Sequence, residues 1–252
     1  SGKNYIKIVS NLKFFLRNFL KLINKKKIDK NFNKIHLNWL KQTLVWKNKY
    51  PVVLKKYKLE KKINSFHFID EISKIIKKNS CIVTDMGTSF TCTMQTYRPS
   101  GDQRLFTSSG LAAMGFGLPG SIGAAFVDKK KDTICITGDG GFMFNIQELQ
   151  TIVHYNLPIK IFILCNKGYL TMKLMQKKNF KKFVGSTPDS GISCPDFENV
   201  GKAFKIPSTT IHENKNIGKL IKNVISKKGP IICQIIMQDH QQLVPRVQTK
   251  MT

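Results

Sequence analysis

Residues 133–168 decide the fold class, and they read TICITGDGGFMFNIQELQTIVHYNLPIKIFILCNKG. Two continuously apolar runs, 133–137 and 159–165, flank a stretch over 145–155 whose pattern predicts a helix. Strands of this kind are typical of a parallel sheet that is covered on both faces. Ligands in such sheets bind beyond the carboxyl ends of the strands. The residues that follow each run are therefore the first candidates for function.

The same alternation of helices and strands extends on both sides of this stretch. Further helices are predicted over 66–77, 110–127, 196–204 and 217–226, and further strands over 81–84, 208–211 and 231–237. Together these elements predict an α/β fold, a doubly wound parallel sheet with helices on both faces. Residues 1–64 are rich in Lys and Asn and have helical periodicity with few strand signals. We therefore expect a helical linker over 1–64 and the α/β domain over 65–252.

The composition limits the partners and the compartment. The chain has 252 residues, of which 41% are hydrophobic, enough to bury a core. A net charge of +27 would suit a polyanion, but the lysines are dispersed without aromatic interleaving, so we expect nucleic acid not to be the partner. No run reaches the length of a membrane span, and we expect no membrane partner. Six cysteines without a C-x-x-C pair predict free thiols and a cytoplasmic location.

Polar residues at the ends of the two central strands form a candidate metal site. Asp139 follows the first strand and Asn166 follows the second. Successive parallel strands can lie side by side, so both residues can face one crevice. Carboxylate, amide and carbonyl oxygens are hard ligands that suit Mg²⁺ or Ca²⁺. The glycines after Asp139 let backbone N–H groups approach a phosphate. These features predict a metal-bridged diphosphate site.

The run GDGGFMFNIQELQTIVHYNLPIKIFILCN resembles the thiamine-diphosphate motif, in which G-D-G is followed about two dozen residues later by Asn. Its later part, and GLAAMGFGLPGSIGAA at 110–125, are similar to acetolactate (acetohydroxyacid) synthases. The resemblance implies the carboxyl-terminal, diphosphate-binding domain of a thiamine-diphosphate-dependent enzyme. It implies thiamine diphosphate and Mg²⁺ as cofactors, with Asp139, Asn166 and the carbonyl of Gly168 as metal ligands.

The resemblance also assigns residues to the cofactor. The carbonyl of Ala112 would accept a hydrogen bond from the amino group of the cofactor, and Met114 would lie between its two rings. Thr88 and Ser89 replace the Gln-His pair that is common in acetolactate synthases. The expected cofactor-binding residues are Gly87, Thr88, Ser89, Ala112, Met114, Gly138, Asp139, Gly140, Gly141, Asn166, Gly168, Tyr169 and Leu170.

The implied activity is decarboxylation or carboligation of a 2-oxo acid by a lyase or transferase of the acetolactate synthase type. The resemblance implies a homo-oligomer, a dimer or a tetramer. Enzymes of this family activate the cofactor with a glutamate on a separate pyrimidine-binding domain. None of the five glutamates of this chain lies in a segment that resembles that domain. We therefore expect no catalytic residue here and a site completed by a pyrimidine-binding domain. Binding of FAD elsewhere in the parent enzyme stays open.

Three alternatives remain. The glycines of GFGLPG at 115–120 also satisfy a dinucleotide-binding fingerprint, although the preceding residues lack strand character. The chain could be a noncatalytic relative that keeps the cofactor fold for a structural or regulatory role. It could also be a basic nucleic-acid-binding module, for which a steep salt dependence of binding would be the sign.

Overall fold

The computed structural model describes residues 7–25 and 30–244. The chain divides into two compact units, residues 1–51 and 52–252. The first unit contains helices α1 (Leu12–Lys25) and α2 (Lys30–Lys49). On α2 the rings of Trp39 and Trp46 pack edge to face, with centroids 5.5 Å apart. The division into a linker over 1–64 and a domain over 65–252 stays a prediction.

The second unit is built on a six-stranded sheet in which every neighbouring pair is parallel. The strand order is β2-β1-β3-β4-β6-β5. The strands are β1 (Cys81–Thr84), β2 (Arg104–Phe106), β3 (Thr133–Gly138), β4 (Ile159–Cys165), β5 (Ser208–Ile211) and β6 (Ile231–Ile236). The predicted α/β fold with a parallel sheet is confirmed.

Nine helices accompany the sheet in the described part of this unit. They are α3 (Lys55–Leu59), α4 (Ser65–Ile75), α5 (Thr88–Thr96), α6 (Gly117–Val127), α7 (Asp139–Phe142), α8 (Leu149–Tyr155), α9 (Leu170–Asn179), α10 (Phe197–Ala203) and α11 (Ile217–Ser226). Short 3₁₀ turns cover Met143–Glu148 and Pro188–Ser190. Among the helices that the structure describes, none combines the length and the apolar character needed to cross a membrane.

The hydrophobic core lies on both faces of the sheet. Successive side chains of a strand point to opposite faces, so one strand contributes to two cores. On β4, Phe162 and Leu164 belong to the cluster that α4 and α11 cover, whereas Ile161 and Ile163 belong to the cluster that α6 and α8 cover. All four side chains are fully buried. This double coverage explains why the strand reads as a continuous apolar run.

Most predicted elements are confirmed, and β1, β4, β5 and α11 have the predicted bounds. The helix predicted over 110–127 is wrong in its first part, because α6 begins at Gly117. Ala112 has φ 53° and Gly115 has φ 88°, conformations that a right-handed helix cannot contain. The helix predicted from 145 begins as a regular helix only at Leu149, because Asn145 has φ −134° and interrupts it. Strand β2 and helices α5 and α9 were not predicted.

Candidate functional site

Asp139 lies at the carboxyl end of β3, in contact with the turn that follows β4. Its Oδ2 accepts the backbone N–H of Asn166 at 3.0 Å and that of Lys167 at 2.9 Å. The N–H of Gly168 lies 3.4 Å from the same oxygen, and Oδ1 accepts the N–H of Gly140 at 2.8 Å. The residue is only 2% exposed. Burial raises the pKa of the Asp139 carboxyl, and the four backbone N–H groups oppose that rise.

The side chain of Asn166 has an unpaired oxygen at this place. Its Oδ1 is buried and has no hydrogen-bond partner among the residues that the structure describes. A buried acceptor without a donor is costly, so such an atom calls for an explanation. Carboxylate and amide oxygens are hard ligands of the kind that Mg²⁺ takes. The oxygen atoms of Asp139 and Asn166 therefore fit Mg²⁺, the ion that the resemblance implies.

Gly168 completes the predicted ligand set, and its position admits only glycine. Its φ is 125°, in a region that side chains rarely adopt, and a Cβ there would lie 2.4 Å from the carbonyl oxygen of Ser186. Lys167 before it also has a positive φ, of 59°. The turn after β4 is thus a tightly constrained segment with Asn166 at its start.

A cavity of about 250 Å³ opens beside these residues and brings together the predicted cofactor set. Its lining includes every predicted residue except Ser89, namely Gly87, Thr88, Ala112, Met114, Gly138, Asp139, Gly140, Gly141, Asn166, Gly168, Tyr169 and Leu170. Ser89 is fully buried, and its hydroxyl donates to the carbonyl of Met86 at 2.9 Å. Met86, Thr171 and Met172 also line the cavity and were not predicted.

A larger cavity lies at the amino ends of β1 and β2, with a volume of about 430 Å³ and with Arg104, Phe106 and Val127 in its lining. Ligands of parallel α/β sheets bind at the carboxyl ends of the strands. We therefore assign the site by its convergent polar groups and its place in the sheet, not by cavity size.

Gly140 and Gly141 form the floor of the smaller cavity where α7 begins. A Cβ on Gly140 would lie 2.2 Å from Cε1 of Tyr169, and a Cβ on Gly141 would lie 2.6 Å from Oδ2 of Asp85. Neither position has room for a side chain. Both glycines are thus required by the packing of Tyr169 and Asp85, and both also line the cavity.

Asp85 is a buried carboxylate that is not among the predicted cofactor-binding residues. Its Oδ1 accepts the N–H groups of Met86 at 2.7 Å and of Gly115 at 3.0 Å, and its Oδ2 accepts the hydroxyl of Thr137 at 2.9 Å. Burial raises the pKa of Asp85, and these donors oppose the rise. Asp85 thus joins the ends of β1 and β3 to the loop over 107–116. Its place directly after a buried strand was the available signal.

The loop over 107–116 carries Ala112 and Met114 to the cavity. Gly115 fixes it from two sides, because its N–H bonds to Asp85 and its carbonyl accepts the side-chain amide of Asn145 at 2.8 Å. A Cβ on Gly115 would lie 2.7 Å from the Cβ of Phe144. The loop also separates the glycines at 115–120 from the end of β2, so they do not follow a strand as a dinucleotide fingerprint requires.

Comparison with known proteins gives the family of the chain. Residues 85–235 match the family described as "Thiamine pyrophosphate enzyme, C-terminal TPP binding domain". The chain is 31% identical to the acetolactate synthase large subunit of Cyanidium caldarium, over 98% of this chain and 42% of that protein. It is 29% identical to acetolactate synthase 2, chloroplastic, of Zea mays, over 98% of this chain and 39% of that protein. For the probable acetolactate synthase large subunit of Methanococcus aeolicus the identity is 30%, over 92% and 40%.

A solved structure shares the fold. The thiamine diphosphate-dependent 4-hydroxybenzoylformate decarboxylase of Rhodococcus jostii RHA1 superposes with a TM-score of 0.61 at 18% identity, over 71% of this chain and 33% of that one. The chain spans between 39% and 42% of the length of the three curated relatives named above. It therefore belongs to the thiamine pyrophosphate enzyme family, in which it matches the C-terminal TPP-binding domain and is similar to acetolactate synthases.

Proposed function

We propose that this chain binds thiamine diphosphate and Mg²⁺ at the carboxyl ends of β3 and β4, and supplies the diphosphate and metal half of a site that acts on 2-oxo acids. The observation that carries the proposal is the Oδ1 of Asn166, which has no partner within residues 7–25 and 30–244 and belongs to a residue bonded to the carboxylate of Asp139. Membership of the family and the relatives named as acetolactate synthases support the cofactor and the type of reaction.

Thiamine diphosphate, when bound, supplies a carbanion-stabilising carbon for the attack on a 2-oxo acid and the loss of CO₂. The residues of this chain hold and orient it. Asp139, Asn166 and the carbonyl of Gly168 would bind the Mg²⁺ that neutralises the diphosphate. Gly140 and Gly141, which line the cavity, would lie beside the diphosphate.

The other predicted contacts concern the rings of the cofactor and the diphosphate turn. The carbonyl of Ala112 would accept the amino group of the cofactor, and Met114 would fix the relative orientation of the two rings. Gly87, Thr88 and Ser89 would approach the diphosphate from the end of β1, while Tyr169 and Leu170 would flank the cofactor. Gly138 is the last residue of β3 and leads directly into Asp139.

We propose that a partner domain completes the site, since no glutamate lines the cavity within the described residues. A glutamate on a pyrimidine-binding domain, from the rest of the protein or from another subunit of a homo-oligomer, would activate the cofactor. A dimer is the smallest such assembly, and a tetramer would contain two such dimers. The cytoplasmic location stays a prediction, since the maize and fission-yeast relatives are named as chloroplastic and mitochondrial.

The specific reaction is tested by supplying pyruvate, thiamine diphosphate and Mg²⁺ to the complete protein. Acetolactate synthase chemistry converts two pyruvate molecules into one acetolactate and one CO₂. We expect release of CO₂ with acetolactate as product, and loss of both in Asp139→Ala. Turnover of another 2-oxo acid alone would keep the cofactor chemistry and refute the acetolactate assignment. No turnover of any 2-oxo acid, together with no cofactor binding, would favour the noncatalytic relative.

A further inference from the structure

Lys173 on α9 is a buried lysine that faces the metal site. It is 3% exposed. Its ammonium donates to the backbone carbonyl of Asn166 at 2.8 Å and to that of Asp239 at 3.0 Å. Removing an ammonium group from water is costly unless its protons are bonded. The two hydrogen bonds to backbone carbonyls offset the cost of burying the ammonium of Lys173.

The first of its partners belongs to a predicted metal ligand. The N–H of Asn166 is bonded to Asp139 and its C=O is bonded to Lys173, so the backbone of this residue is fixed at both groups. Its side-chain Oδ1 has no hydrogen-bond partner in the part of the chain that the structure describes. The next two residues, Lys167 and Gly168, both have positive φ angles. A turn with this backbone persists only where the surrounding contacts hold it.

The second partner anchors Lys173 to the segment that follows β6. In that segment the N–H of Met237 donates to the carbonyl of Cys165 at 2.9 Å. Gln241 is bonded to Ser65, accepting its N–H at 2.7 Å. The carbonyl of Asp239 therefore belongs to a segment that is held by hydrogen bonds on both sides. Its hydrogen bond holds the ammonium of Lys173 in place, and the ammonium in turn holds the backbone carbonyl of Asn166.

We propose that Lys173 is a positioning residue, which holds the 166–168 turn in the shape that presents Asn166 to the metal ion. The effect of Lys173 on Mg²⁺ binding rests on the proposed function. Its effect on the conformation of the 166–168 turn does not, because the hydrogen bonds from residues 166–168 to Asp139 exist in the protein without the ion.

Lys160 provides a matched control in the same fold. It lies on β4, is 2% exposed, and donates to the carbonyls of Lys227 and Gly229, both at 2.5 Å. Both lysines are therefore buried ammonium groups that bridge two backbone carbonyls. Lys160 pairs with Ile231, at the start of β6, and so lies at the opposite end of β4 from Asn166.

The test compares Lys173→Met with Lys160→Met in two measurements. The first is exchange of the backbone amide hydrogens of residues 166–168, without cofactor. The second is the Mg²⁺ concentration that half-saturates the complete protein at a fixed level of thiamine diphosphate. We expect Lys173→Met to speed exchange and to raise that concentration by about tenfold or more, as expected when a local contact is lost. Lys160→Met should change neither beyond its effect on global stability.

Equal effects of the two substitutions on both measurements would overturn the inference, because they would reduce Lys173 to a contributor to general stability. Unchanged exchange at residues 166–168 in Lys173→Met would also overturn it. If Lys173→Met does not fold, Lys173→Gln, which keeps a polar end but has a shorter reach, is expected to show the same local effect. Absence of Mg²⁺ and cofactor binding in the unaltered protein would refute the proposed function, while the exchange result would still decide the role of Lys173 in the turn.

Discussion

The carboxylate of Asp139 accepts the backbone N–H of Asn166 at 3.0 Å, across the carboxyl ends of two adjacent parallel strands. These two residues are 27 positions apart in the chain. Their contact exists because β3 and β4 pair in register up to Gly138 and Leu164. The sheet therefore brings together two residues of the proposed metal site that no local element could bring together.

Asn166→Leu is expected to separate stability from metal binding. The Oδ1 of Asn166 has no partner among the described residues, so its removal should leave the unfolding free energy within about 1 kcal/mol of the original or raise it. Binding of Mg²⁺ should be lost. Urea unfolding without the ion, paired with Mg²⁺ titration, measures both effects. A loss of about 3 kcal/mol or more would show that this oxygen serves the fold and not an ion.

Gly168→Ala is expected to destabilise the protein by about 1–3 kcal/mol, because the backbone there is strained for any side chain. The added Cβ would also meet the carbonyl oxygen of Ser186 at 2.4 Å. Gly123→Ala is the matched control, since a Cβ at that position in α6 would have no heavy atom within 4 Å. The control should gain about 0.5–1 kcal/mol as a helical Gly-to-Ala change. Thermal unfolding of both variants is the measurement, and equal effects would contradict the geometry.

Asn145→Ala is expected to weaken binding of thiamine diphosphate but not binding of inorganic pyrophosphate. The side chain of Asn145 holds the carbonyl of Gly115 at 2.8 Å, and thereby the loop with Ala112 and Met114. Loss of one such bond is worth about 1 kcal/mol, or roughly fivefold in affinity. Titrations with thiamine diphosphate and with inorganic pyrophosphate, both with Mg²⁺, should show a loss for the first ligand only. Equal losses would place Asn145 in the diphosphate half of the site.

The pH dependence of stability should carry the signature of Asp85. Burial raises its pKa above the ordinary value of 3.8. The folded state then binds the proton more tightly than the unfolded state. Stability from this group is gained as pH falls through the raised pKa towards 3.8 and is absent at higher pH. The unfolding free energy of the original protein, relative to that of Asp85→Asn, should rise as the pH falls through that window. A flat or falling difference would contradict the assignment.

Asp70 is the control of opposite sign. It is 3% exposed, and burial alone would raise its pKa, but Lys74 and Arg98 outweigh burial and lower it. Its contribution to stability is therefore present above pH 3.8 and is lost as pH falls through the lowered pKa. Relative to Asp70→Asn, the original protein should lose stability in that lower window. Urea unfolding at a series of pH values measures both aspartates.

The sequence predicted the elements whose signal is local. Strand β4 is apolar at almost every position because both of its faces are covered, so its bounds could be read directly. Asp139 and Asn166 could be predicted for a related reason, since a polar residue directly after a buried apolar strand is easy to recognise in a sequence. The resemblance to a known family then supplied Ala112 and Met114, which no periodicity would have singled out.

The features that escaped prediction depend on distant contacts. The loop over 107–116 has small, helix-compatible residues, and it is kept out of the helix by the bond between Asp85 and Gly115, 30 positions apart. Lys173 looks like one more exposed lysine among the many of this chain, and only the carbonyls of Asn166 and Asp239 make it a buried one. Strand β2 has three residues, too few for a pattern.

The central claim is that Asp139 and Asn166 hold the metal ion of a thiamine diphosphate site. The direct measurement is calorimetric titration of thiamine diphosphate with Mg²⁺ into the complete protein, beside Asp139→Ala and the control Asp196→Ala, which removes a carboxylate that caps α10. The account predicts saturable, Mg²⁺-dependent binding in the unaltered protein and in Asp196→Ala, and its loss in Asp139→Ala. Absence of binding in all three, or unchanged binding in Asp139→Ala, would contradict it.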